Sequence, residues 1–495
     1  MNFRFIINFT GKIMRIAAFM FLFPAIIAII YGEYFNLVAF LPMGAAMFLL
    51  GFLASLKKPK DNRVTATEGF VLVSLSWIIM SVAVAFAYLI TGEVEGGFIN
   101  CLFESVSGFT TTGASIVNNV EGLSQSVNAL RLFTHWVGGM GILVLVLAII
   151  PKNTDATTMN IFKAEVPGHQ VEKFTTKLAV TAKILYLIYI GMTVILAVCF
   201  IVAKMPVYDS IVHAMSIAGT GGFSIKNTSL SFYDSVPIDV IATVFMFLFG
   251  VNFNIFYLIL IGKFTTAIRS EELRTYAAIF VFSMLTMAAS LTLHGTYDSF
   301  AEALRRSSFQ TAAISSTTGL TESDFAAWPM YCQAVILVLM FIGGSSGSTA
   351  GGLKLSRIMI AAKYAKNQYL FAGRPNRVRT LRLEGERLDR ETISSTMSYL
   401  AIYAATALVS FVLVALFNDV FAGDASSISF SETLTAVISS LSNVGPAFGN
   451  LAVGTYNGFS PVSKLFLCFD MIAGRLEILP MLFLFNPRTW LKSRG

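Results

Sequence analysis

The sequence predicts an all-α membrane protein in which four similar units surround one axis. Of its 495 residues, 55% are hydrophobic and only 13% are charged, and the mean hydropathy is +0.72. A soluble protein carries roughly 25% charged residues, about twice this share. Apolar runs of about 20 residues, long enough to cross a bilayer as helices, recur along the chain. A short pattern that ends in glycine recurs four times between these runs.

The apolar runs predict ten spanning helices, at residues 13–31, 34–56, 67–91, 128–150, 178–203, 237–262, 275–294, 329–362 (interrupted), 394–418 and 461–485. In this arrangement the basic clusters, among them 57–63, 152–177 and 354–390, all fall on one side of the membrane. The positive-inside rule assigns that side to the cytoplasm and places both termini there. The net charge of +7 then reflects this bias beside the membrane, and we expect no nucleic-acid partner.

The chain after the first two helices (1–66) repeats one order of elements four times. Each unit has an opening helix, a short half-helix, a tripeptide that ends in glycine and a closing helix, over residues 67–150, 178–262, 275–362 and 394–485. The half-helices, at 97–109, 206–218, 299–315 and 429–441, are too short to cross the bilayer. Such re-entrant segments are tolerated only where protein or a water-filled cavity surrounds them. Secondary transporters also contain repeats, but four parallel copies favour a pseudo-fourfold pore.

The four tripeptides are candidates for a cation-selectivity filter. They are Thr111-Thr112-Gly113, which follows Thr110, and Thr220-Gly221-Gly222, Thr317-Thr318-Gly319 and Asn443-Val444-Gly445. Glycine lets the backbone turn its carbonyl groups inward, and rings of carbonyls that replace a hydration shell select alkali cations. One such tripeptide alone would be an ordinary turn, whereas four matched copies favour a filter. Because only one glycine position recurs (Gly222 is preferred over Gly221 in the second copy), we expect weaker potassium-over-sodium discrimination than in a potassium channel.

A polar interruption of the third closing helix is the candidate gate. It comprises Gly343, Gly344, Ser345, Ser346, Gly347, Ser348, Thr349, Ala350, Gly351 and Gly352. So many small residues and glycines cannot form a stable lipid-facing helix, so we expect them to line the pore below the filter. Arg475, in the fourth closing helix, could reach this loop, hold it closed and repel cations. The alternatives are a structural kink for the loop and an internal ion pair for Arg475.

Acidic residues near the tripeptides, namely Glu104, Glu322 and Asp324, are expected at the outer mouth, where they would concentrate cations. No pattern of catalytic residues accompanies them. The four histidines, His135, His169, His213 and His294, are scattered without metal-ligand spacing. The four cysteines form no CxxC pair and are expected to be buried thiols. We therefore expect neither an enzyme nor an organic cofactor.

Several motifs together resemble the TrkH/KtrB superfamily of bacterial potassium transporters. They are SGFTTTGAS (107–115), WVGGMGI (136–142), AGTGGFS (218–224), SSTTGLTESDFAAWP (315–329), GGSSGSTAGGLK (343–354), SNVGP (442–446) and AGRLEI (473–478). The two additional N-terminal helices make the chain more similar to TrkH than to KtrB. The resemblance implies a homodimer with one pore per subunit in the bacterial inner membrane, and a TrkA-like cytosolic nucleotide-binding regulatory subunit. It also implies that the loop 343–352 gates the pore and that Arg475 matches the family's pore arginine.

These observations predict potassium uptake through a gated, channel-like pore that is driven by the membrane potential. The transported potassium ion would bind at the filter residues, membrane lipid would surround the chain, and nucleotide control would come from the regulatory subunit. One alternative is a symporter that couples potassium to protons or sodium, with Glu104, Asp470 and Glu477 as candidate proton carriers. Another is an intramembrane enzyme or a receptor, which the missing catalytic cluster disfavours.

Overall fold

The computed structural model is largely helical and describes residues 1–57, 65–141, 178–373, 380–421, 428–452 and 455–491. Several predicted features lie outside the described residues, namely the basic cluster 152–177, His169 and residues 142–150 of the predicted helix 128–150. Most of the basic cluster 57–63 and residues 374–379 of the cluster 354–390 also lie outside them. In the described part of the chain the only strands form a short antiparallel hairpin, Arg382–Leu383 with Glu386–Arg387.

Two N-terminal helices precede the repeated units. The first runs from Phe3 to Ala17, tightens to a 3-10 turn over Ala18–Phe21 and continues over Leu22–Tyr31, and the second is Tyr34–Leu56. The first therefore begins ten residues before the predicted 13–31, because Asn2 caps it by accepting a hydrogen bond from the Phe5 amide at 3.1 Å. The two helices cross closely at Gly11 and Gly51, where a side chain on either would meet the other's backbone.

Each unit begins with a long opening helix and continues with a half-helix. The opening helices are Ala66–Thr91, Leu178–Val202, Glu271–Leu293 and Arg390–Phe421, and the half-helices are Gly97–Phe109, Val207–Gly219, Phe300–Ser315 and Phe430–Ser442. Capping boxes begin the first opening helix, through Thr65 and Glu68, and the fourth half-helix, through Ser429 and Glu432. All four half-helices lie within one residue of their predicted bounds.

Closing helices follow the half-helices after loops that contain short 3-10 turns (Val120–Gly122, Ser229–Tyr233, Phe325–Ala327, Gly449–Leu451 and Tyr456–Gly458). The closing helices begin as Gln125–Gly139, Val236–Phe249, Met330–Ile342 and Pro461–Arg475. The last three are continued by further helices, which are Phe253–Leu260 and Phe264–Ile268, Leu355–Gly373, and Leu479–Phe485 and Pro487–Leu491.

The second closing helix, predicted as one span at 237–262, is sharply bent. Its two parts, Val236–Phe249 and Phe253–Leu260, meet at 93°. Asn252 explains the break, since its side chain accepts a hydrogen bond from the Asn254 amide at 2.9 Å and starts a new helix. The predicted interruption of 329–362 is present, with no helix between Ile342 and Leu355.

Six helices among the described residues are long and apolar enough to cross a membrane. They are Phe3–Tyr31, Tyr34–Leu56, Ala66–Thr91, Ala182–Val202, Glu271–Leu293 and Arg390–Phe421, and the bent pair would make a seventh. The count of ten stays a prediction, because the remaining closing helices are broken or run out of the described residues. All four cysteines are free thiols, of which Cys101, Cys332 and Cys468 are buried.

Candidate functional site

The four tripeptides share one backbone conformation. Their first residues are left-handed, with φ of 55° at Thr111 and 54° at Thr220, Thr317 and Asn443. The glycines two positions later are left-handed as well, with φ of 79° at Gly113, 83° at Gly222, 71° at Gly319 and 100° at Gly445. Gly222, and not Gly221, is therefore the equivalent of the other three glycines. Threonine is strained in this conformation by roughly 1–3 kcal/mol, so the surrounding structure must impose it.

Each half-helix ends in the same hydrogen-bonded cap. In the first copy the amide of Thr111 donates to Gly108 O at 3.2 Å, and the amide of Thr112 donates to Ser107 O at 3.0 Å. The same pair of bonds recurs at Thr220 and Gly221, at Thr317 and Thr318, and at Asn443 and Val444. This Schellman cap satisfies the last carbonyls of the half-helix, whose carboxyl end favours a nearby cation.

The four segments meet in a closed ring. A Cβ atom on the glycine of one segment would lie far closer than 3.0 Å to a main-chain oxygen of the next. The contacts run from Gly113 to Gly221 O, from Gly222 to Thr318 O, from Gly319 to Val444 O, and from Gly445 back to Thr112 O. Since the fourth segment returns to the first, the tripeptides surround a common axis in direct backbone contact.

Side chains of the left-handed residues link the ring to neighbouring segments. Thr317 Oγ1 accepts a hydrogen bond from the Gly351 amide at 2.6 Å. Asn443 Nδ2 donates to Thr112 Oγ1 at 3.0 Å and to Met471 O at 2.8 Å. The ring is therefore tied both to the polar loop 343–352 and to the fourth closing helix.

The polar loop 343–352 is enclosed by protein on several sides. The Ser345 amide donates to Gly250 O at 2.9 Å, and Thr349 Oγ1 donates to Phe249 O at 3.2 Å. The Ser346 amide donates to a carboxylate oxygen of Glu272 at 2.7 Å. These contacts satisfy backbone groups that lipid could not satisfy. Glu272, at the start of the third opening helix, was not anticipated from the sequence.

The same loop also touches the ring directly. A Cβ atom on Gly351 would lie 2.5 Å from Ser442 O and 2.8 Å from Asn443 Cβ. Together with the Thr317 contact, this places the loop against the third and fourth segments. Glycine at position 351 is required by this close approach.

Arg475 joins the loop to the ring and to the first closing helix. Its guanidinium donates to Thr349 O in the loop at 2.8 Å and to Thr111 Oγ1 in the ring at 3.0 Å. It also donates to Gly138 O and Gly139 O at 2.5 and 2.6 Å. The side chain therefore reaches the loop, as expected from the sequence.

Two cavities lie beside these elements. The first, which we call the vestibule, has a volume of about 120 Å³ and is lined by all four ring glycines together with Arg131 and Lys226. The second, the loop cavity, has a volume of about 100 Å³ and is lined by loop residues, Lys354, Arg475 and Glu477. No ring glycine lines the loop cavity.

The acidic residues near the ring differ from the expectation. Glu104 is fully buried and pairs with Arg131 at 2.7 Å, and the buried Glu322 pairs with Arg306. Neither offers free charge to a cation in solution, so this expectation was wrong for both. Arg131 lies 27 positions after Glu104, and Arg306 lies 16 positions before Glu322 on the third half-helix. No sequence pattern indicated either pairing.

The charges of the fourth closing helix also have partners. Glu477 pairs with Arg357 of the helix that follows the loop. Asp470 is fully buried and accepts a hydrogen bond from Ser410 Oγ at 2.6 Å. No group of three or more His, Cys, Asp or Glu side chains that could hold a metal ion occurs in the described part of the chain.

Comparison with known proteins gives a consistent result. Residues 37–492 match the sequence profile of the TrkH family, which is described as cation transport protein. The chain is 30% identical over 503 residues to the Trk system potassium uptake protein TrkH of Vibrio parahaemolyticus, covering 99% of this chain and 100% of that protein. It is 29% identical to the protein of the same name from Salmonella typhimurium, with the same coverage. The crystal structure of the potassium transporter TrkH from Vibrio parahaemolyticus aligns with a TM-score of 0.87 and 28% identity, over 99% of this chain and 100% of that one.

Proposed function

Because this chain belongs to the TrkH family of cation transport proteins, we propose that it mediates potassium uptake across the bacterial inner membrane through a gated, channel-like pore. The observation that carries the proposal is the closed ring of four glycine segments, each in backbone contact with the next. A ring of main-chain oxygens around one axis is what replaces the hydration shell of an alkali cation. The names of the relatives, Trk system potassium uptake proteins, support potassium as the cargo.

The ring would act as the selectivity filter. Its oxygens come from residues 110–113, 220–222, 317–319 and 443–445, and the potassium ion would pass between them. The common left-handed backbone and the four capped half-helix ends support this assignment, because both direct partial negative charge toward one place.

The polar loop would act as the gate, in the closed position. Residues 343–352 lie against the ring and are held by Arg475, whose positive charge would also oppose a cation on the axis. The loop has few apolar side chains to anchor it, so it should move at low energetic cost. Opening would require release of the contact between Arg475 and Thr349.

The proposal also covers the course of the chain through the membrane and its partners. We infer ten spanning helices, two before the repeats and four units over 67–150, 178–262, 275–362 and 394–485, with both termini in the cytoplasm. We also infer a homodimer in membrane lipid that binds a TrkA-like cytosolic nucleotide-binding subunit. The Trk system named for the relatives supports that partner.

The membrane potential can drive such uptake without an ATP site in this chain. A unit charge gains roughly 2.3 kcal/mol per 100 mV, so about 150 mV supplies about 3.5 kcal/mol. At ~1.4 kcal/mol per decade this supports accumulation of a few hundredfold.

A pair of glycine substitutions tests the filter. Gly319 (φ +71°) and Gly92 (φ +70°) have nearly the same φ angle, but Gly319 faces a neighbouring main-chain oxygen, whereas nothing lies within 4 Å of the Cβ position of Gly92. Both alanine variants place a side chain at a positive φ, which strains the backbone. We expect Gly319→Ala to bring the potassium-to-sodium permeability ratio close to one and Gly92→Ala to leave it unchanged.

The ratio is measured from bi-ionic reversal potentials of the purified chain in planar bilayers. An unchanged ratio in a folded Gly319→Ala variant would show that the ring does not select ions. Loss of selectivity in both variants would point to backbone strain rather than to the ring.

Coupled symport is the second candidate, and the isolation of Asp470 favours it. Glu104 and Glu477 are each paired with an arginine. One carboxylate oxygen of Asp470 bonds Ser410, and the other has no hydrogen-bond partner among the described residues. A buried carboxyl with a single partner is suited to exchange a proton. A reversal potential that shifts with pH at fixed potassium, and stops shifting in Asp470→Asn, would support proton symport, while a reversal potential independent of pH would exclude proton symport.

A further inference from the structure

We propose that Arg131 and His135 form a clamp that positions the second filter segment against the first half-helix and thereby contributes to potassium-over-sodium selectivity. Both residues lie on the first closing helix, Gln125–Gly139, four positions apart, and therefore project from the same face. The proposal rests on the proposed role of the ring as a filter. It concerns how one of the four segments is held in place.

On one side the clamp holds the first half-helix. Arg131 pairs with the Glu104 carboxylate at 2.7 Å. One turn further along, His135 Nδ1 bonds Gly108 O at 2.7 Å. Glu104 and Gly108 are themselves four positions apart, so the two helices are joined by two parallel contacts. All of this is buried, with Arg131 1% exposed and His135 0% exposed.

On the other side the clamp holds the chain just after the second tripeptide. The Phe223 amide donates to His135 Nε2 at 3.2 Å, and Arg131 Nη1 donates to Ser224 O at 3.3 Å. The Phe223 ring packs between the two side chains, 4.2 Å from the centre of the His135 ring and 4.4 Å from Arg131 Cζ. Two hydrogen bonds and two ring contacts therefore fix this segment.

The hydrogen bonds of His135 determine its protonation. Because the Phe223 amide is a donor, Nε2 must supply a lone pair, and because Gly108 O is an acceptor, Nδ1 must carry the proton. The ring is therefore neutral, and a protonated ring would lose the contact with the second segment. The His135 ring therefore donates to Gly108 O of the first unit and accepts from the Phe223 amide of the second unit.

The clamp also explains why the second tripeptide differs from the others. Gly221 stands where the other copies have Thr112, Thr318 and Val444. Its φ is not left-handed, so its backbone would accept a side chain. A Cβ atom there would, however, overlap the His135 ring. The histidine occupies the space that a side chain fills in the other segments.

Substitutions at both positions test the proposal in bi-ionic reversal-potential measurements. His135→Leu keeps the volume but removes both hydrogen bonds, leaving the buried Phe223 amide unsatisfied, and we expect a fall in the potassium-to-sodium ratio on the order of tenfold. His135→Gln can donate and accept, and should retain the wild-type ratio. His294→Leu, at the exposed end of another helix, is the matched control.

A double-mutant cycle separates positioning from general stability. Gly221→Ala should lower the ratio in the wild-type background, because the new Cβ displaces the ring, but should add no further loss to His135→Ala, where the space is free. Thermal unfolding in potassium and in sodium establishes that each variant is folded. If His135→Leu does not fold, the Gly221 cycle still decides.

Three results would overturn the clamp: a wild-type ratio in folded His135→Leu, no rescue by glutamine, or additive effects of the two alanine substitutions. These differ from failure of the filter itself. If Gly319→Ala lowers the ratio while the His135 variants do not, only the clamp is wrong. If Gly319→Ala is also without effect, the ring is not the filter and the clamp has no role in selectivity.

Discussion

Replacing Arg475 with alanine should raise the basal cation current of this chain. Among the described residues the guanidinium of Arg475 donates to Thr111, Gly138 and Gly139 and to Thr349 O of the loop. Of these bonds, the one to Thr349 has to break if the loop moves while Arg475 stays in place. A hydrogen bond to a charged group contributes about 1.5–3 kcal/mol. The closed-to-open equilibrium should therefore shift about 10- to 140-fold, at ~1.4 kcal/mol per decade.

A lysine substitution separates the contact from the charge. Arg475→Lys keeps the positive charge but presents a single ammonium, which cannot reach all four acceptors at once. If the hydrogen bonds hold the gate, this variant should resemble alanine; if the charge is the main barrier, it should resemble the wild type. Arg274→Ala is a suitable control, because that exposed side chain bonds the nearby carbonyls of Arg269 and Ser270 and, among the described residues, neither the loop nor the ring.

The measurement is the potassium current of the purified chain alone, at fixed voltage in planar bilayers. Thermal unfolding in detergent shows whether each variant is folded. A folded Arg475→Ala protein with wild-type current would refute the reasoning and leave Arg475 a structural role.

Three further perturbations follow from the same contacts. Deleting 346–349 should raise the basal current, and a folded but silent variant would contradict the gate. Thr317→Val removes the acceptor of the Gly351 amide, so it should destabilise the closed position of the loop by about 1–3 kcal/mol and raise the current. An unchanged open probability would show that this hydrogen bond does not hold the loop closed. Glu104→Gln leaves the buried Arg131 without its counter-charge and should lower the free energy of unfolding by about 3–5 kcal/mol, which is measured as a lower unfolding temperature. An unchanged unfolding temperature would show that the ion pair does not stabilise the fold.

Local features of the chain predicted most helices correctly. The half-helices at 97–109 and 429–441 end within one residue of Phe109 and Ser442, because a polar residue and glycine follow each apolar run and end the helix locally. The sequence predicted one span from 237 to 262 and gave no bend angle, because the 93° bend depends on a cap by Asn252 that hydropathy does not report.

Contacts between distant residues could not be predicted in this way. Glu104 was expected at the outer mouth as a free charge, yet it pairs with Arg131, and Glu477 pairs with Arg357, 120 positions away. A carboxylate in an apolar stretch indicates that a partner is needed. Which arginine supplies it depends on how the units pack around the axis.

The amino-acid order by itself predicted the membrane class, the four units and the position of each filter glycine, because hydropathy, helix length and backbone freedom act over a few residues. Tertiary structure alone decided that Gly445 lies against Thr112 and that His135 fills the space beside Gly221. Both contacts join residues more than 80 positions apart, which meet only when different units of the chain pack together.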